Sequence, residues 1–528
     1  MQKLVATSLA SLMFAGSLVN PTIAGAQSGT TTPIKHLVVI FQENISFDHY
    51  FGTYPNATNP RGEPRFIAKP GTPAVNGYTD GLMYNNPNVL NSGNGTGAAN
   101  PFRLDRSQAA TADQDHDYMP EQQAFDNGLM DLFPKFTGTP GPPPNGQLTN
   151  GLVMGYYDGN TVTAYWNYAQ RFAMSDNSYD TNFGPSTDGA LNLISGQLNG
   201  VIDATNASGD VVDDGHGGLT LVSDADPAGD MCSTTTGAVL SMSGKNVGDM
   251  LNAAGVSWGF FEGGFDLTAT NPNGTTSCAR SHTSTVTMTN KADYIPHHQP
   301  FQYYASTANP KHVRPTSPST IGINGDPGNH QYDTHDFFDA VSAGNFPAVS
   351  YLKAPGYQDG HAGYSDPLDE QTFVVNVINF LQQQPDWNST AVVIAYDDSD
   401  GWYDHQMGPI VNTSATSMDA LTGPNACGTG TSALPGVLAA ATHAQGRCGY
   451  GPRLPLLVIS PYSKKNYVDH TVTDQSSILR FVEDNWLDGQ RITGSFDALA
   501  GRLNSFFDFR SPDTTPYILD ESTGLVTR

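Results

Sequence analysis

The chain has 528 residues, 38% of them hydrophobic, which excludes a disordered or fibrous protein and leaves room for one large domain or two ordinary ones. Its formal charge of -26 repels nucleic acid and anionic membranes at long range, so neither is expected as a partner. An anionic substrate would have to be drawn in locally, by a metal ion or by histidines.

The first 26 residues hold Lys3, an apolar segment over 4–19 and then Ala24-Gly25-Ala26, the small-x-small pattern of a cleaved secretory signal. The mature chain is expected to begin at Gln27. An uncleaved anchor is the competing reading, but the segment is interrupted by Ser8, Ser11, Gly16 and Ser17 and is short for a span. No second long apolar run follows. A soluble protein in the periplasm or the medium, with no stable membrane anchor, is the expectation.

Residues 37–41, Leu-Val-Val-Ile-Phe, form a continuous apolar run with the length and β-branching of a strand covered on both faces, as in a parallel sheet. Glu43 and Asn44 follow after the single residue Gln42, at the carboxyl end where open α/β sheets bind ligands. Alternatively the pair only begins a solvated turn. From 52 to 100 the chain is rich in Pro, Gly and Asn and is expected to form long surface loops, as is the Pro-Gly stretch at 138–147. Between them Pro120 opens an expected helix carrying Phe125, Leu129 and Leu132 on one side, with His116 just ahead of it.

A helix is predicted from 161, then a short strand at 172–177. Gly184-Pro185 breaks the chain, and a helix starts near Ser186. A serine there either caps the helix or presents its hydroxyl beside N–H groups and the positive dipole end, a natural anion site. Residues 200–245, rich in Gly, Asp and Ser, read as an irregular insertion. Gly255-Val-Ser-Trp-Gly259 has the spacing of a hydrolase elbow, but here the helix precedes the serine and the strand follows, which is the reverse of what an elbow needs.

Downstream, a strand at 346–354 leads to His361 in a glycine-flanked loop, and Asp366-Pro367 open a helix. The strand at 391–396 then repeats the opening pattern by ending in Asp397-Asp398. A further strand at 453–463 and a helix capped by Asp474 complete an alternation of strands and helices. The fold class is α/β with a mostly parallel central sheet flanked by helices, carrying insertions near 52–110 and 200–245 in a catalytic unit over 27–528. No fixed-period repeat is visible. Four cysteines, Cys232, Cys278, Cys427 and Cys448, allow three pairings, the simplest being the sequence-local one.

If the two strands are neighbours, Glu43, Asn44, Asp397 and Asp398 converge, and carboxylates that close need protons or a cation. All-oxygen ligation favours one divalent Mg, Ca or Mn ion, with Zn also compatible. The competing reading is a set of caps and turns. A cation beside Ser186 would activate a hydroxyl that is otherwise a weak nucleophile. His116, His297, His298 and His361 lie in polar segments bounded by Gly or Pro and are candidate acids or phosphate donors. Adjacent residues of an extended segment point opposite ways, so one of His297 and His298 is expected to face the site.

Seven stretches, in order, carry a resemblance: IKHLVVIFQENISFDHYFGTYP, NFGPSTDGALNLISG, YIPHHQPFQYY, YQDGHAGYSDPLDEQ, YDDSDGWYDH, RLPLLVISPYS and VDHTVTDQSSILRFVE. Together they resemble the bacterial phosphoesterase family of phospholipases C and AcpA-type acid phosphatases, within the alkaline-phosphatase-like superfamily. The resemblance implies metal ligation by Glu43, Asn44, Asp397 and Asp398. It also implies that Ser186 is a metal-contacting nucleophile, and that His116, His298, His361 and, less directly, His297 form a phosphate pocket. Ile45 replaces the Arg of the phospholipase branch, Ser186 its Thr, and Asp398-Ser399 its Glu-Asn, and the extra C-terminal domains of that branch are not expected. These departures point to the acid phosphatase branch. The expected function is a secreted, metal-dependent hydrolase of phosphate monoesters acting through a phosphoserine. The alternatives are a phospholipase C and, in another class, a non-catalytic phosphate or metal binder.

Overall fold

The computed structural model describes residues 29–141, 148–430, 434–437 and 443–528. The segment read as a secretory signal, 1–26, lies outside the described residues, as does much of the Pro-Gly loop.

The centre is an eight-stranded sheet built from β1 (His36–Gln42), β2 (Ala173–Ser175), β3 (Trp258–Glu262), β4 (Gln331–Asp333), β5 (Val349–Lys353), β6 (Thr390–Tyr396), β7 (Leu456–Ile459) and β8 (Tyr467–Asp469). Its order is β4-β3-β5-β1-β6-β7-β2-β8. All neighbours pair in parallel except those of β7, which runs against both β6 and β2. The α/β, mostly parallel expectation therefore holds. The opening strand is central, flanked by β5 and β6, and this explains its unbroken apolar run: both its faces are covered.

Alternation along β1 sorts its side chains between two cores. Val38 and Ile40 pack with the helices α1 (Phe47–Phe51), α3 (Thr163–Arg171), α6 (Thr334–Ser342) and α7 (Pro367–Gln382). Leu37, Val39 and Phe41 pack on the other face with α4 (Ser186–Ser195), α5 (Val247–Ala254) and α8 (Gln475–Trp486). The β6 residues divide in the same way, Val392 and Ile394 to one side and Val393 and Ala395 to the other. Each such fully buried aliphatic side chain contributes about 1.5–3 kcal/mol of transfer free energy. Asp366 and Asp474 cap α7 and α8 as read from the sequence, accepting from the backbone N–H groups of Leu368 and Asp369 and of Ser476 respectively.

Three readings change. The helix α2 (Tyr118–Phe125) begins before Pro120 and stops at Asp126, which turns left-handed at φ 43°, so Leu129 lies beyond it and is exposed. The stretch 52–100 is not loop throughout, since it holds the short helices Asp80–Tyr84 and Pro87–Leu90. Residues 200–245 are not irregular either: Val201–Thr205, Asp226–Pro227 and Val239–Met242 form a small sheet, and Val211–Asp213 pairs with Leu219–Leu221. Short β-branched runs between Gly and Asp turns sufficed to make strands there.

The cysteines pair as Cys232–Cys278 and Cys427–Cys448, the sequence-local choice. Among the described residues no helix is long and apolar enough to cross a membrane.

Candidate active site

Parallel pairing of β1 with β6 places Gln42 opposite Tyr396, so the next residues, Glu43 and Asp397, leave adjacent strands at the same edge of the sheet. Both are fully buried. The backbone N–H of Asn44 donates to Asp397 Oδ1 at 3.3 Å, and that of Asp398 donates to the same oxygen at 2.9 Å. Asn44 has φ 55°, a left-handed conformation that asparagine tolerates and that turns the chain sharply at the strand end. Beyond the two turns Arg453 ties them together, donating to Asp48 Oδ1 at 2.9 Å and to Asp404 Oδ2 at 3.1 Å.

Helix α4 delivers the serine. Pro185 is its N-cap residue and Ser186 its first helical residue, so the Ser186 hydroxyl is free of a capping duty. It lies 3.0 Å from Asp398 Oδ2 and 3.2 Å from Glu43 Oε2, and either carboxylate can accept its proton. The helix comes this close because residue 189 is glycine: a Cβ there would overlap the Asp397 carbonyl oxygen.

The histidines separate by position. His298 is buried with Nδ1 3.3 Å from Glu43 Oε1. His116 directs Nδ1–H to the Gln114 carbonyl at 2.8 Å, leaving Nε2 3.3 Å from the Asn44 amide nitrogen. The His361 ring packs edge-on to His116, with centroids 5.8 Å apart, and its Nδ1 donates to the Ala362 carbonyl. His297 instead meets Asp226 at 3.4 Å and Asp224 at 3.9 Å. Asp224 in turn accepts from the backbone and hydroxyl of Thr187 beside the serine, and the His297 ring packs edge-on to His298, with centroids 4.6 Å apart, so His297 lies behind the residues that meet the carboxylates. One histidine of the pair faces the carboxylates as expected, but the segment is a 3₁₀ turn, Pro296–His298, rather than extended chain.

Burial is the first influence on every titratable group here. It raises Glu43, Asp397 and Asp398, the last to about 7, against the pull of Lys353 on the first two and of His116 on the third. Burial lowers His361 to about 4. His116 is held well above its usual value because Asp398, Asp400 and Asp113 outweigh its desolvation. At neutral pH His116 is therefore charged and His361 neutral.

Sequence reasoning passed over Lys353, the last residue of β5, which donates to Asp397 Oδ2 at 2.9 Å and is ion-paired with Glu43. The signal was there, a lone lysine ending an otherwise uncharged strand. Glu121 was also missed; it accepts from Ser399 Oγ at 2.7 Å and from the Gly184 N–H, bracing the turns that carry Asp398 and Ser186.

The model of the phosphoesterase family matches residues 34–487, which span every element of this centre. The chain belongs to the phosphoesterase family. This phosphoesterase is 27% identical over 519 residues to a non-hemolytic phospholipase C of Burkholderia pseudomallei, covering 95% of this chain and 63% of that protein. It is 24% identical over 511 residues to phospholipase C A of Mycobacterium tuberculosis, covering 93% of this chain and 80% of the relative. The chain thus spans less than two thirds of the Burkholderia relative's length. Among solved structures, a protein in the alkaline phosphatase superfamily from Vibrio parahaemolyticus aligns over 79% of this chain and 76% of its own, with 9% identity and a TM-score of 0.27.

Proposed function

We propose that this phosphoesterase hydrolyses phosphate monoesters through a phosphoserine at Ser186, in an oxidising compartment outside the cytoplasm. The observation that carries the reading is the Ser186 hydroxyl, held at a helix N-terminus within 3.2 Å of two buried carboxylates. Two disulfides agree with export.

The residues fit a divalent ion. Asn44 Oδ1 is a buried acceptor without a hydrogen-bond partner, beside three buried carboxylates and one hydroxyl. Glu43, Asn44, Asp397, Asp398 and Ser186 would hold it, an oxygen set favouring Mg, Ca or Mn over Zn. When bound, such an ion supplies Lewis-acid stabilisation of charge on the phosphoryl oxygens and on the serine oxygen.

The chain's own residues account for the protons. Asp398 or Glu43 accepts the Ser186 proton as Oγ attacks phosphorus and the P–O ester bond breaks. His116 protonates the departing alkoxide. Water then attacks the phosphoserine and gives a proton to the now neutral His116, the P–Oγ bond breaks, and Ser186 takes back the proton held by Asp398 or Glu43. Asn44 and His298 offer donors to the non-bridging oxygens, where charge develops, while His361, whose one N–H goes to the Ala362 carbonyl, packs against His116. Two in-line displacements retain configuration at phosphorus, so inversion in a chiral phosphate product would remove the covalent serine.

The monoester preference rests on Ile45, Ser186 and Asp398-Ser399 in place of the phospholipase residues. A second reading, phospholipase C, is favoured by the names of the relatives above. Turnover of p-nitrophenyl phosphate against p-nitrophenylphosphorylcholine separates them: preference for the choline diester overturns the first. A non-catalytic binder would turn over neither, metals supplied.

A further inference from the structure

Lys353 reaches the centre from β5, the neighbour of β1 on the side away from β6. It is almost wholly buried, with Nζ 5.3 Å from the centroid of the Phe41 ring. Its ammonium takes one oxygen from each of two carboxylates, Glu43 Oε1 and Asp397 Oδ2. The remaining oxygens face elsewhere: Glu43 Oε2 toward Ser186, and Asp397 Oδ1 toward the N–H groups of Asn44 and Asp398.

Charge gives this arrangement a consequence. Glu43, Asp397 and Asp398 converge in a dry pocket, where an uncompensated carboxylate charge is costly. Lys353 places one fixed cation between two of these carboxylates, on Glu43 Oε1 and Asp397 Oδ2, leaving Glu43 Oε2 to Ser186. Phosphoesterases that clamp both the attacking and the leaving oxygen with two ions need a further cation near the same carboxylates.

We propose that Lys353 occupies the place of a second metal ion, positioning Glu43 and Asp397 and limiting the centre to one divalent cation. Lys353 is on this view a positioning residue, acting through the two carboxylates it bridges. The inference rests on the metal-dependent reading above.

The test counts ions. Chelator-treated full-length protein is titrated with Mn²⁺ by calorimetry, and the bound ions are examined by electron paramagnetic resonance. Wild type and Lys353→Arg are expected to bind one Mn²⁺ per chain with isolated-ion spectra. Lys353→Met, which keeps the length and loses the charge, is expected to bind two, with lines broadened by coupling between neighbouring ions. One Mn²⁺ in Lys353→Met overturns the inference, and so do two in the wild type. Binding of none by any variant overturns the metal reading instead. Melting in chelator checks that each variant is folded, and Lys353→Gln replaces the methionine variant if that one is not.

Discussion

Ser186 Oγ lies 3.0 Å from Asp398 Oδ2, although 212 residues separate the two in the chain. One sits at the start of α4 and the other just past the end of β6, and nothing but the packing of that helix against the sheet edge joins them. The proposed chemistry depends on this contact.

Ser186→Ala removes the proposed nucleophile while deleting one buried hydroxyl, a change costing about 1 kcal/mol in stability. Turnover of p-nitrophenyl phosphate is expected to fall by about 10³-fold or more, the scale seen when a nucleophile is deleted. The melting temperature should stay close to that of the wild type. Near-normal turnover in a folded variant would remove Ser186 from the scheme.

His298 and His297 are adjacent in sequence, but only His298 meets Glu43. His298→Ala is expected to lower kcat by about 10²-fold, within the range for a positioned acid-base or donor group. His297→Ala should cost less than about tenfold on the same scale, since its partners are Asp224 and Asp226. Equal losses in steady-state assays would contradict this placement.

Metal removal should abolish turnover, with Mn²⁺, Mg²⁺ or Ca²⁺ restoring it. An ion bound by the folded state alone also stabilises it, by about 2.7 kcal/mol at a hundred times its Kd. Thermal unfolding with and without Mn²⁺ checks both statements on one sample. A chelated enzyme with full activity would end the metal-dependent reading.

Glu370 provides a pH prediction away from the centre. It is fully buried on α7 and accepts from Tyr50 and Tyr396 hydroxyls at 2.8 Å each; burial pushes its carboxyl up to about 8, against the hydrogen bonds from the tyrosines. A folded-state pKa above the unfolded value means that the folded protein holds the proton longer. Its contribution is therefore fully present below about 4.5 and is lost as pH rises toward 8, at up to about 1.4 kcal/mol per pH unit. Glu370→Gln resembles the protonated acid and lacks this loss. Urea unfolding at pH 5 and pH 8.5 should show the variant gaining on the wild type at the higher pH; a constant difference would contradict it.

Much of this was legible in the chain itself. The apolar runs of β1 and β6 are unmistakable because a strand covered on both faces needs no polar alternation, and the doublets ending them stand out against it. Pro185 before Ser186, and Asp366 and Asp474 before their helices, mark starts by local backbone chemistry that distant contacts do not alter. The 200–245 stretch was misread because its strands are only two to five residues long and its Gly and Asp content dominates any window. Local composition cannot show which short segments find partners.

The doublet Glu43-Asn44 at the end of an apolar run, its echo in Asp397-Asp398 and the serine at a helix start were all determined by the sequence, since each follows from residue type and spacing within a few positions. Only the tertiary structure decided that β1 and β6 are neighbours in register, that Ser186 reaches both carboxylates, that His298 rather than His297 faces them, and that Lys353 binds Glu43 to Asp397. The reason is physical. Strand order and helix docking are set by burial summed over the whole core, and a side chain's partner across a sheet edge is fixed by that packing, not by its neighbours in the chain.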